Sequence, residues 1–185
     1  MKKSFIQFIT IIPLVLLLCL TFSCQQQVEQ GITEEEAKTI MDTMHMAYNE
    51  GALDAIDQVC APEFVAHFSN QPEDIVGIES FKEFIKLNRI QFPDFNLADD
   101  EMIVKGNNIV TRWTLTGANT GPFYTPFGEL PPTGKEFRIS GLGLFRVADG
   151  KITEQWIVFN VLDMLQQLGF MLAPPAPPEP PEEEK

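Results

Sequence analysis

The strongest constraint on the fold is a change of pattern halfway along the chain. From residue 96 onward four strand-like runs occur, 96–105, 109–117, 137–147 and 152–160. The first two flank Gly106-Asn107-Asn108 and the last two flank Ala148-Asp149-Gly150-Lys151. Asn and Asp beside Gly accept the left-handed backbone of a tight hairpin, so each pair reads as an antiparallel hairpin. Before residue 96 the period is helical. Thr33-Glu34-Glu35-Glu36 is a capping box, with a hydroxyl N-cap and a Glu three residues on. Ala37, Ile40, Met41, Met44, Ala47 and Tyr48 follow helical spacing up to a stop at Gly51. Leu53, Ile56, Asp57 and Cys60 predict a short second helix ending before Pro62. A third covers 78–91, with Phe81, Phe84, Ile85 and Leu87 as its apolar side, and a final amphipathic piece spans 161–168. Three helices followed by an antiparallel sheet predict an α+β domain.

The two ends carry no core. Lys2 and Lys3 precede an almost uncharged stretch from Phe5 to Phe22, the layout of an export signal. At about 18 residues this stretch is short for a membrane span, and Pro13 interrupts it. It closes on Thr21-Phe22-Ser23-Cys24, which is similar to the lipobox of bacterial lipoproteins. Residues 1–23 are therefore expected to be a lipoprotein signal peptide and 24–32 a tether. Cys24 is the expected lipidation site, anchoring the chain to a bacterial membrane on its periplasmic or outer surface. An ordinary secretory cut and an uncleaved anchor are the alternatives. Cys19 would leave with the signal and Cys24 would be modified, so Cys60 has no intramolecular disulfide partner. No CxxC spacing is present, and neither metal nor cofactor is expected. Residues 174–185 hold six Pro and four Glu, a composition for a disordered tail over 173–185. The folded domain then covers 33–172, one domain's worth of chain. A net charge of -13 argues against nucleic acid, and against a peripheral grip on anionic lipid headgroups.

Several short motifs follow one another in a telling order. They are Arg112-Trp113-Thr114-Leu115-Thr116-Gly117, Pro131-Pro132-Thr133-Gly134-Lys135, Gly141 with Phe145-Arg146, and Asp149-Gly150-Lys151-Ile152-Thr153-Glu154-Gln155-Trp156. Gln166-Gln167-Leu168-Gly169 closes the series, and Phe81-Lys82-Glu83-Phe84 and Phe92-Pro93-Asp94 precede it. Over about residues 33–170 this order resembles the SnoaL-like polyketide cyclase, or ester cyclase, family. The resemblance implies the cone-shaped α+β barrel of the nuclear-transport-factor-two-like superfamily, with a deep apolar pocket and frequent pairing as a homodimer. Fifteen Phe and seven Met supply apolar surface to line a cavity as well as fill a core. The chemistry it implies is cofactor-free ring closure. A base removes a proton α to a carbonyl while a donor steadies the enolate.

Two departures stand against that chemistry. The family's acid/base aspartate falls on Ile157 and its pocket histidine on Gly143, and neither residue moves a proton. Two readings stay open: a cyclase or isomerase using other groups, and a non-catalytic ligand-binding or interaction lipoprotein. His67, in Phe64-Val65-Ala66-His67-Phe68, matches a position where members often carry a pocket histidine, and is the first candidate base. Glu154 is the second. It alternates in phase with Trp156 and Asn160, so the three share one strand face. Burial beside Trp would raise its pKa; the alternative is a salt bridge to Arg138 or Arg146. Trp113, Phe145, Trp156 and Asn160 are the expected ligand contacts, and the expected partner is a small apolar carbonyl-bearing molecule. His45, at the margin of the first helix's stripe, reads as structural. Asp163 reads as the cap of the last helix.

Overall fold

The computed structural model describes residues 31–125 and 128–171. Cys24, the export signal, nearly all of the tether and the Pro/Glu-rich tail lie outside the described residues. Helix α1 (Glu34–Glu50) starts at the expected capping box. Thr33 Oγ1 accepts the Glu36 N–H at 3.2 Å, and the Glu36 carboxylate accepts the Thr33 N–H at 2.8 Å. Its buried stripe is Ala37, Ile40, Met41, Met44, Ala47 and Tyr48, and Gly51 ends it with φ 76°, a conformation that suits glycine.

Helix α2 (Ala55–Val59) is shorter than predicted, because Cys60 opens a strand, β1 (Cys60–Phe68), that the sequence reading took as the end of a helix. Pro62 lacks an N–H and does not fit a regular ladder. The structure accommodates it in a register break between Cys60 and Val65. Next come β2 (Ile75–Val76), α3 (Ile78–Gln91), β3 (Asn96–Lys105), β4 (Asn108–Ala118), β5 (Phe123–Thr125) and β6 (Gly128–Leu130). The chain continues through β7 (Glu136–Ala148), β8 (Lys151–Phe159) and α4 (Val161–Gln167). Asn160, not Asp163, caps α4: its Oδ1 accepts the Asp163 N–H at 3.1 Å.

Both predicted hairpins form. Gly106 has φ 59°, and Asp149 and Gly150 have φ 51° and 74°, the left-handed pair that tight hairpins require. The main sheet has the order β2-β1-β8-β7-β4-β3. β1 runs parallel to β8 and the other neighbours are antiparallel. The expected α+β class holds, with helices packed on a curved, mostly antiparallel sheet. Two details differ from expectation: β1 and β2 precede the third helix, and among the described residues the sheet is open, with β2 and β3 as edges.

The core lies between the helices and the inward face of the sheet, where Phe64, Phe81, Ile85, Ile109, Ile152 and Leu168 are fully buried. Strand alternation decides which residues reach it. On β4 the inward residues are Ile109, Thr111 and Trp113, and on β8 they include Gln155. Cys60 is a buried free thiol, its pKa pushed up to about 12 by burial.

Candidate functional site

A cavity with about 100 Å³ of water-accessible space opens between α1, α3 and the inward sheet face. Its wall is chiefly apolar, with Met41, Met44, Phe84, Phe92, Leu115 and Phe159 among its members. Stacked rings stiffen it: Tyr48 lies on Phe95 at 5.8 Å, and Trp113 meets Phe159 edge-on at 5.9 Å. Eight polar side chains enter this lining: His45 and Tyr48 from α1, Asn70 from the β1–β2 turn, Asn88 from α3, Asp99 from β3, Thr111 and Trp113 from β4, and Gln155 from β8.

Among the described residues, His45 Nε2, Thr111 Oγ1, Trp113 Nε1 and Gln155 Oε1 are buried without a hydrogen-bond partner. Each such group costs about 1–3 kcal/mol, and all of them belong to the cavity wall. Convergent polar atoms in an apolar cavity are the contacts a bound molecule uses for orientation. His45 Nε2 stands 3.4 Å from Asp99 Oδ2 with both side chains largely buried, close but not aligned as a hydrogen bond. Burial lowers the His45 pKa, and Lys38 does so slightly, while Asp99 and Asp42 oppose the fall. Burial raises the Asp99 pKa against the pull of His45 and the Thr111 hydroxyl. That hydroxyl is near enough to favour the carboxylate, yet its geometry falls short of a hydrogen bond. Tyr48 is fully buried, and its phenol is pushed upward by desolvation.

Sequence and structure comparisons agree on kinship. SnoaL-like polyketide cyclase is the family that matches, over residues 38–168. The chain belongs to this family. Among solved structures, TsrD from Streptomyces laurentii is similar at 26% identity and TM-score 0.66, covering 75% of this chain and 98% of TsrD. Wild-type IdmH from Streptomyces antibioticus is 26% identical with TM-score 0.60, covering 72% of this chain and 98% of IdmH. The comparison with curated proteins gives no match.

For this SnoaL-like domain the resemblance read from the sequence places the family's acid/base aspartate at Ile157 and its pocket histidine at Gly143. Gly143 and Ile157 are direct cross-strand partners. A Cβ at Gly143 would lie 2.7 Å from the Phe145 ring and 3.2 Å from Ile157 Cδ1. A side chain at position 143 would thus meet an apolar ring. Gly141 likewise makes room for Trp113, whose ring lies where a Cβ would be. Trp113 and Phe145, expected as ligand contacts, are both in the cavity wall.

Glu154, Trp156 and Asn160 are not in that wall, a correction to the expectation that their face looks inward. The residues of β8 that line the cavity are Gln155, Ile157 and Phe159, so strand alternation sends Glu154 and Trp156 to the outer face. Asn160 has left the strand to cap α4. His67 also lies outside the wall, because Phe68 is the lining residue at that end of β1. Its Nδ1 is 2.7 Å from Asp74 Oδ1 and its Nε2 is 3.0 Å from Glu154 Oε1. Glu154 Oε2 accepts from Arg146 Nη1 at 2.9 Å, so Arg146 rather than Arg138 is its partner. Trp156 stacks on His67 at 4.9 Å and receives the Arg146 guanidinium 4.7 Å from its ring centre. Burial alone would lower the His67 pKa, but the hydrogen bonds to Asp74 and Glu154 outweigh it and the net shift is upward.

Asp99, Thr111 and Gln155 are not among the candidates the sequence offers, and His45 reads there as structural. One signal was present: Asp99 alternates in phase with Leu97, as Gln155 does with Ile157 and Phe159. A polar residue in an inward phase is the mark of a site.

Proposed function

We propose that this SnoaL-like domain holds a small apolar carbonyl-bearing molecule in its cavity, working from a lipid anchor at Cys24 on the periplasmic or outer surface of a bacterial membrane. The observation that carries the ligand reading is the set of unpartnered polar atoms converging on an apolar wall. An apolar cavity of about 150 Å³ admits benzene, so roughly 100 Å³ suits a guest smaller than benzene. The anchor reading is supported by Ser23-Cys24 after an apolar run. A net charge of -13 supports a partner other than nucleic acid. Pairing with a second copy is supported by Leu142 and Val158, cross-strand neighbours on the outer face that are each 51% exposed.

The test is mass spectrometry of small molecules extracted from the purified full-length chain. A molecule enriched over a matched control protein, and lost when Leu115→Trp fills the cavity, supports the reading; no enrichment contradicts it. For the anchor, Cys24→Ser should remove lipid mass and shift the chain from the membrane fraction. Unchanged mass and fractionation would contradict lipidation. A second reading, that of a binding lipoprotein without catalysis, is favoured by the apolar side chains standing at Gly143 and Ile157.

A further inference from the structure

We infer that His45 and Asp99 form a proton-accepting pair which, with Trp113 Nε1–H as donor, enolises a small apolar ketone in the cavity; this rests on the ligand reading above. The pair sits on a different wall from the family's catalytic positions. His45 comes from α1 and Asp99 from edge strand β3, three places along the sheet from the β8 strand that carries Ile157. Asp99 is the register partner of Trp113, so the two side chains leave the same face side by side. A β-bulge between Asp99 and Glu101 changes the phase of β3. Leu97 and Asp99 line the cavity before it, while Met102 and Val104 pack inward after it. Bulges re-aim side chains next to sites in this way.

The energetics point the same way. A purely structural role would be served as well by an apolar pair, since replacing buried ionisable pairs with packed hydrophobes is often neutral or stabilising. Here the two groups are buried at 3.4 Å without an aligned hydrogen bond, an arrangement that costs stability and leaves Nε2 available. Burial disfavours isolated charge, so the pair gains by taking up one proton and becoming net neutral.

The step balances without an oxidant or cofactor. A C–H bond α to the ketone breaks, and its proton enters the gap between His45 Nε2 and Asp99 Oδ2. The electron pair forms the enolate C=C bond, and the carbonyl oxygen, now an enolate oxygen, accepts from Trp113 Nε1–H. Loss of that proton to solvent and delivery of a solvent deuteron to the same carbon gives exchange; delivery of the proton to another carbon of an extended enolate gives isomerisation.

The test uses acetone in D2O with the full-length chain. Proton NMR follows loss of the α-protons, and saturation transfer from protein to ketone reports binding. The wild type should accelerate exchange, with a rate that rises with pH to a plateau and a midpoint below the ordinary imidazole value of 6.5. His45→Gln should lose about 100-fold or more of that acceleration. Trp113→Phe keeps a ring, removes the donor, and should cost about 100-fold. Both variants should still show saturation transfer. Asp99→Asn should move the midpoint to lower pH, and Asp99→Glu should bring it back. Binding with no acceleration, or with equal acceleration in His45→Gln, overturns the inference and leaves the ligand reading standing. Absence of saturation transfer in the wild type overturns both. Should His45→Gln fail to fold, the wild-type pH profile decides, and a midpoint above 6.5 overturns the inference.

Discussion

The two histidines of this domain lie on opposite sides of one sheet, His45 on the helix α1 that packs over the inner face and His67 on strand β1 facing outward, and their surroundings differ in kind. His67, on the outer face, has a carboxylate at each ring nitrogen and Trp156 against its ring. His45, at the inner cavity, has one misaligned carboxylate and an unpartnered Nε2. A fully satisfied network fixes structure, whereas an under-satisfied one retains bonding capacity that a guest can use. The contrast assigns the outer cluster to holding the segment around Asp74 against β8 and the inner pair to chemistry.

Substitutions on the two faces should separate sharply. Ile109 is fully buried on the inward face, so Ile109→Ala should lower the urea unfolding free energy by about 2–5 kcal/mol. Val158, half exposed on the outer face, should lose no more than about 0.5 kcal/mol as Val158→Ala. Comparable losses at both would break the distinction. If the outer face pairs two copies, Val158→Ala should instead show itself as a concentration-dependent shift in sedimentation. Gly141→Ala probes the inner wall more gently. Its Cβ would displace the Trp113 ring and press on Val158 O, and overpacking of this kind costs about 1–3 kcal/mol. The same substitution should weaken ketone binding, read by saturation transfer.

The smallest effects concern pH, and the two histidines should give opposite signs. The folded-state pKa of His67 lies above its unfolded value of 6.5, so its contribution to stability is full below 6.5 and is lost as pH rises through the folded value. The folded-state pKa of His45 lies below 6.5, so its contribution is present above 6.5 and is lost as pH falls through the folded value. The stability gap between wild type and His67→Gln should therefore narrow on the alkaline side, and that for His45→Gln on the acid side. Gaps that narrow on the same side would contradict the assignment.

Much of the fold was legible in the sequence because it rests on local signals. The capping box at Thr33, the stop at Gly51 and the hairpin turns at Gly106 and Asp149-Gly150 each act within a few residues. Strand β1 was not legible, since its Pro62 argues against a strand until the register break is seen. The candidate site was legible only in part. That apolar residues stand at Gly143 and Ile157, where the resemblance places the family's histidine and aspartate, was legible in the sequence; the side chains packed around them were not. The inward phase of β8 was misread because Glu154 and Trp156 look like a site in sequence. A cation–π and ion-pair cluster with Arg146 and His67 explains them on the outer face instead. His45 and Asp99 lie far apart in the chain and meet only when α1 packs on β3, a long-range contact that no local pattern announces.

The most direct measurement is an NMR titration of both histidine rings in the full-length chain, with and without acetone. The His45 midpoint should lie below 6.5 and the His67 midpoint above it, with only the His45 resonances and midpoint moving when the ketone is added. A ketone response at His67 with His45 unaffected would contradict the inner-pair assignment and return the chemistry to the outer face.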